Sequence, residues 1–187
     1  MTTKDLVLIA LFAAIVVMLG LLPPITLAFI PVPITAQSMG VMLAGCIIGA
    51  KRGALAYALF VVLVAAGLPV LAGGHGGLSV LMGPTAGYIF GWIPGTYVAG
   101  LVAERMVREG QPEARQYIGF FLASVIGGIG VVYGIGIPWL CAVTGTPFGA
   151  ALYGNLAFIP GDLVKAVIAT LAARAVLAGY PMLHSRA

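Results

Sequence analysis

The sequence predicts an all-α integral membrane protein with six transmembrane helices. Three observations carry this: an apolar composition, six apolar stretches on short connections, and charges sorted to one face. Of 187 residues, 61% are hydrophobic and 7% charged, and mean hydropathy is +1.14, whereas soluble domains run at about a quarter charged. A helix that crosses the hydrocarbon core needs about 20 apolar residues, so this length holds roughly six spans. No separate soluble domain fits, and residues 1–187 read as one transmembrane domain. The formal net charge of +4 is scattered among short connections, not gathered on one element. It is therefore a topology signal and not a nucleic-acid surface.

The first stretch, residues 6–22, follows Met1-Thr2-Thr3-Lys4-Asp5 and could pass for a signal peptide. It is longer than the usual apolar core of one, and more spans follow, so it is read as a first helix. The second and third, residues 37–49 and 53–67, are short for straight spans. They are expected to stop below one surface or to bury their ends in protein, with a cavity beside them. The fourth, fifth and sixth cover residues 84–103, 117–139 and 158–177. Small residues recur at four-residue spacing, as in Gly45 and Gly49, Gly87, Gly91 and Gly95, or Gly130 and Gly134. Such pairs let helices pack closely in lipid. Ala10 and Ala14 differ by sitting on the first helix, where a small-residue face can meet another protein.

Twelve of the fourteen Lys, Arg, Asp and Glu residues belong to one side. Lys4 and Asp5 precede the first helix, and Lys51 and Arg52 join the second to the third. Glu104, Arg105, Arg108, Glu109, Glu113 and Arg115 join the fourth to the fifth, and Arg174 and Arg186 close the chain. Six spans put all of these on the same face, which the positive-inside rule makes cytoplasmic, with both termini inside. Arg174 lies near the end of its apolar run and can snorkel to the inner headgroups.

The outward connections, residues 23–36, 68–83 and 140–157, carry no Lys, Arg, Asp or Glu. Prolines at 23, 24, 31 and 33 stiffen the first, while Gly73-Gly74-His75-Gly76-Gly77 lets backbone approach closely in the second. Uncharged outer loops of this kind resemble a lid over a pocket. Cys46 and Cys141 lie in apolar surroundings without metal-site or disulfide spacing.

Asp162 and Lys165 are the exception to the charge sorting, just after Phe158-Ile159-Pro160-Gly161 at the start of the last helix. An ionisable group at membrane depth costs about 2.5 to 3.5 kcal/mol on insertion scales, and it reads as a functional site by default. Three apart, the two share a helical face. They either neutralise one another or serve an apolar pocket with a few convergent polar groups, which is the general form of a small-molecule site. Asp accepts from N–H donors, and Lys pairs with a carbonyl or carboxylate. Gln37, His75, Ser79, Thr85, Tyr88, Tyr153 and Asn155 are the polar side chains able to complete such a site. His75 reads as an uncharged lid residue, since the only other histidine, His184, is far along the chain. Tyr88, Tyr153, Trp92 and Trp139 fit interfacial belt residues and stacking partners equally. No phosphate-binding glycine–lysine loop, zinc-protease motif or nucleophile elbow occurs, so the expectation is binding without catalysis, cofactor or metal.

Four segments resemble the BioY family, the biotin-specific S components of energy-coupling factor (ECF) transporters. They are Pro31-Val32-Pro33-Ile34-Thr35-Ala36-Gln37, Ala65-Ala66-Gly67-Leu68-Pro69-Val70-Leu71-Ala72-Gly73-Gly74, Gly83-Pro84-Thr85-Ala86-Gly87-Tyr88 and Pro160-Gly161-Asp162-Leu163-Val164-Lys165-Ala166, in matching order over nearly the whole chain. The resemblance implies the ECF S-component fold and a high-affinity biotin-binding subunit in the bacterial cytoplasmic (inner) membrane. Such a subunit works with a membrane coupling protein and two ATPase subunits, as a single chain or a homo-oligomer, and topples within the bilayer to release substrate inward. Asp162 and Lys165 match the family's substrate-pocket Asp and Lys, and Ala10 and Ala14 match its AxxxA docking motif. Asp162 is then expected to accept from the ureido N–H groups and Lys165 to donate to the ureido carbonyl. The carboxylate falls to backbone N–H groups at Gly73 and Gly74, to Ser79 or to Asn155. An S component for another vitamin and a self-sufficient carrier using an ion at Asp162 are the competing expectations.

Overall fold

A computed structural model describes residues 1–28, 30–180 and 182–183; His184 and Arg186 lie outside the described residues. The chain folds into α1 (Thr3–Gly20), a hairpin of β1 (Ile25–Leu27) and β2 (Ile30–Ile34), α2 (Gln37–Ile48), α3 (Ala50–Ala65) and α4 (Ala86–Met106). α5 (Glu113–Ala123), a π-helical segment (Ser124–Val131) and α6 (Val132–Thr144) run on as one 32-residue helix, Glu113–Thr144. α7 (Phe148–Leu156) and α8 (Ile159–Gly179) form a pair bent by 51°.

Counting the bent pair as one, these make six helical passages, in the expected order. α1, α4 and the Glu113–Thr144 helix are long and apolar enough to cross a membrane, and the α7–α8 pair qualifies when taken as one span. α2 and α3 fall short: at 1.5 Å per residue, their 12 and 16 residues rise about 18 and 24 Å against a core of about 30 Å. Ahead of α2 the chain forms the hairpin, which the sequence reading treats only as a proline-stiffened loop. Its register pairs Ile25 with Ile34 and Leu27 with Ile30. Pro31 and Pro33 lie one residue off the paired positions, where a strand can give up its N–H groups.

Because lipid is as apolar as leucine, close packing and not water exclusion holds these helices together. α4 supplies the small-residue face: a Cβ at Gly95 would stand 2.8 Å from the carbonyl of Gly127, and one at Gly87 would strike Trp139. Gly45 meets α4 in the same way, 2.7 Å from the Ala99 Cβ. Gly130 and Gly134 depart from the expectation, since Gly134 faces open space and Gly130 has only the Val125 carbonyl at 3.8 Å. They border a groove and do not form a helix contact. At Gly49 a φ of 84° joins α2 directly to α3, a conformation that favours glycine.

The charge-sorted end is built as the sequence implies. Thr2 and Asp5 form a capping box on α1, and Arg52 Nε donates to Asp5 Oδ1 at 2.6 Å. Glu104 Oε1 accepts from the Ala50 N–H at 2.8 Å, capping α3. Lys4 donates to the Tyr180 hydroxyl, and Arg174 pairs with Glu113 at 2.5 Å. Asp162 and Lys165 take no part in this cluster.

Candidate binding site

Between the starts of α2, α4, α6 and α8 lies a cavity of about 270 Å³, closed by β2 and the loop after α3. Its walls are largely apolar: Val32 and Ile34 from the hairpin, Leu71 from the loop, Ile89 and Trp92 from α4, and Phe158 ahead of α8. Trp92 meets Tyr57 edge-on and Phe60 at a tilt, at centroid distances of 5.8 and 6.1 Å. Those two side chains are fully buried, so the ring is backed by close-packed core. Gly128 of the π-helical segment forms part of the lining, and a Cβ there would come within 2.6 Å of Met42. π-Helical turns are frequent at functional sites.

The polar end is set by α8. Its axis breaks away from α7 and begins at Ile159, with Pro160 in the first turn, where the missing proline N–H costs nothing. Asp162 thus sits in the first turn of a helix that starts inside the protein, where the positive end of the helix dipole favours a carboxylate. It is 4% exposed. Lys165 Nζ donates to Asp162 Oδ1 at 2.8 Å and to Ser38 Oγ at 3.0 Å. Tyr133 donates its hydroxyl to Asp162 Oδ2 from α6. Each carboxylate oxygen therefore holds one donor and keeps one lone pair, and the ammonium keeps one N–H. Both charges are satisfied without being used up.

A second polar pair stands beside the first. Tyr88 donates to Asn155 Oδ1 at 2.8 Å, and Asn155 Nδ2 donates to the Ala151 carbonyl at 2.8 Å. The Tyr88 and Tyr133 rings meet edge to face at 6.1 Å. Asn155, 1% exposed, stands behind Tyr88 and does not line the cavity.

Gln37 lines the cavity, but its amide is committed to the backbone. Nε2 donates to the carbonyls of Val16 at 3.1 Å and Val70 at 3.0 Å, and Oε1 accepts from the Ala72 N–H at 2.9 Å. Its own carbonyl accepts from Tyr57 at 2.7 Å. Gln37 is a clamp that fixes the loop after α3 against α1 and α2. Gly20 makes room for it: a Cβ there would lie 2.7 Å from Nε2.

Of the residues singled out from sequence, Asp162, Lys165, Tyr88, Trp92, Gln37, His75 and Thr85 line the cavity. Gly73 and Gly74 line a neighbouring depression with Pro23 and Pro24, and Ser79 is exposed ahead of a turn at Val80–Met82. Trp139 donates to the Gly83 carbonyl at 3.0 Å and anchors the start of α4, while Tyr153 is 77% exposed. Ala10 and Ala14 lie on the exposed face of α1 beside Leu11 and Met18. Tyr133 and Ser38 are absent from the sequence expectations although both touch the charged pair. The only signal for Tyr133 was a hydroxyl among the closely spaced glycines of the fifth stretch.

A family model described as the BioY family matches residues 1–182. The chain is 58% identical over 187 residues, the full length of both, to the biotin transporter BioY of Rhizobium etli. It is 47% identical to that of Rhodobacter capsulatus, across 92% of this chain and 93% of the relative. Among solved structures it is similar to the S-component for biotin from an ECF-type ABC transporter, with a TM-score of 0.86, 33% identity and 95% of each chain covered.

Proposed function

The chain belongs to the BioY family, and from that premise we propose that it is the biotin-capturing membrane subunit of an ECF-type transporter. The observation that carries this reading is the Asp162–Lys165 pair at one end of an apolar cavity. In a five-membered cyclic urea each N–H lies on the same edge as the carbonyl, so the ring offers a donor and an acceptor side by side. Asp162 Oδ1 and Lys165 Nζ, 2.8 Å apart, offer the complementary acceptor and donor. The closeness of the two residues thereby becomes the means of recognition. Lys165 gives its remaining N–H to the ureido carbonyl while Asp162 takes the N–H beside it. Trp92, Ile89 and Val32 then cover the bicycle and chain, whose apolar surface a largely apolar wall favours.

In this reading the charge cluster around Asp5, Arg52 and Glu104 faces the cytoplasm and the cavity faces outward. Energy comes from partner ATPase subunits through a membrane coupling subunit, with Ala10 and Ala14 as the docking face on α1. The membrane is the bacterial cytoplasmic membrane. Calorimetric titration of the purified chain in detergent with biotin, thiamine and riboflavin tests the proposal. Saturable binding of biotin alone, at micromolar concentration or below, is expected; no biotin binding in that range refutes it.

A further inference from the structure

We propose that Ser38 is a positioning residue for ligand capture: its hydroxyl, on α2, holds the Lys165 ammonium so that one N–H stays free for the ligand in a fixed direction. This rests on the reading of the cavity as a biotin site, and it gives a role to a side chain outside the charged pair.

The first argument concerns what the lysine needs. Its ammonium is a compact point charge on a flexible four-carbon stem. A carboxylate three residues back on the same helix limits where that stem goes without fixing how the ammonium is turned. Here Lys165 Nζ meets Asp162 Oδ1 on α8 at 2.8 Å and Ser38 Oγ on α2 at 3.0 Å, so two helices hold it at once. Two bonds in different directions fix a tetrahedral donor, and the direction of the third N–H follows. All three residues line the deep end of the cavity, where that N–H is the one a ligand meets.

The second argument concerns why Ser38 can do this. A serine hydroxyl is donor and acceptor and turns to suit its neighbours, but this one gives its proton to the Thr35 carbonyl at 3.2 Å. The oxygen is left as an acceptor, which is what an ammonium requires. Although Ser38 lies in the first turn of α2, that helix start has no side-chain cap, so the hydroxyl is not spent on the helix's own N–H groups. The turn that carries it is pressed on the core. Tyr57, fully buried, donates to the Gln37 carbonyl at 2.7 Å, and a Cβ at Gly40 would stand 2.5 Å from the Tyr57 hydroxyl and 3.1 Å from Val16.

The consequence is that the lysine is ordered before the ligand arrives. Without the hydroxyl the stem keeps more of its freedom in the empty site and loses it on binding. For one rotamer-rich side chain that loss corresponds to about threefold to tenfold in affinity.

The experiment compares the full-length wild-type protein with Ser38→Ala and with Ser38→Cys, which nearly keeps the size but offers only a weak acceptor. In the ligand-free protein in detergent, heteronuclear NMR of the lysine ammonium groups reads the positioning itself. Lys4 and Lys51 are exposed, and the Lys165 signal is identified by its loss in Lys165→Met. Expected is a slowly exchanging Lys165 ammonium in the wild-type protein, broadened or lost in both variants, and biotin affinity about threefold to tenfold lower in both by calorimetric titration. A wild-type ammonium that exchanges too fast to be seen, or one unchanged in Ser38→Ala, overturns the assignment; the second result together with weakened binding would make Ser38 a direct ligand contact. Unchanged biotin affinity in both variants also overturns it, leaving the biotin site standing. Failure of the wild-type protein to bind biotin overturns the site reading and the role in capture together, and the NMR comparison then still decides whether Ser38 holds Lys165.

Discussion

The Tyr133 hydroxyl donates to Asp162 across the gap between α6 and α8, two residues 29 apart in the chain that meet at the deep end of the cavity. With Lys165 on the other oxygen, the carboxylate is held in one orientation before any ligand arrives. A preorganised acceptor does not have to be ordered on binding, which is where affinity is commonly lost.

Replacing Tyr133 with Phe removes that donor and keeps the ring. The expected loss is about 1 to 2 kcal/mol, or roughly fivefold to thirtyfold in biotin affinity. An analogue methylated on the ureido nitrogen facing Asp162 should show a smaller loss, because the effect runs through that contact. Equal losses for biotin and the analogue, measured by calorimetry, would make Tyr133 a packing residue only.

Asp162→Asn should lower biotin affinity by about 3 kcal/mol, roughly a hundredfold. It should also lower the melting temperature, because Lys165 loses its counter-charge in a site where its side chain is 14% exposed. The double change Asp162→Asn with Lys165→Met should recover stability without recovering binding, since removing both charges is far less costly than orphaning one. Thermal unfolding in detergent alongside titration separates the two effects. Normal biotin binding by Asp162→Asn would point to a structural role for the pair.

Asp162 and Lys165 were legible from sequence because every other fixed charge fell on the opposite face, a contrast that needs no tertiary knowledge. Tyr133 was not, since tyrosine in an apolar span is equally at home in a belt or a core. Its role appears only when α6 and α8 are placed together. Gln37 was visible as an amide in an apolar setting, but its partners at Val16, Val70 and Ala72 come from three distant segments, so a clamp and a ligand contact looked alike. The passages were legible from hydropathy, whereas the hairpin and the bend before α8 were hidden. Their short pieces are shaped by the bundle they cover and not by a period of their own.

Gln37→Leu should free the loop after α3. Two carbonyls and one N–H lose their partner at a buried position, and unsatisfied groups of this kind cost about 1 to 3 kcal/mol each when water cannot replace it. Faster amide hydrogen exchange across residues 68–77 and faster biotin release are expected, with association little changed. Exchange equal to wild type would show that the loop is held by other contacts.

Ala10→Leu and Ala14→Leu place bulk on an exposed helix face and should leave biotin binding within about twofold, since neither residue lines the cavity. ATP-dependent uptake in vesicles containing the coupling and ATPase subunits should fall at least about tenfold if close helix contact is lost. Undiminished uptake by both variants would move the docking face elsewhere.

The most direct test of the whole account is a crystal structure of the protein with biotin bound. Expected are the ureido carbonyl within hydrogen-bond distance of Lys165 Nζ, an adjacent ureido nitrogen on Asp162, and the bicycle against Trp92. Biotin bound outside this cavity, or seated in it with its carboxylate on Lys165 and its ureido ring at the mouth, would contradict it.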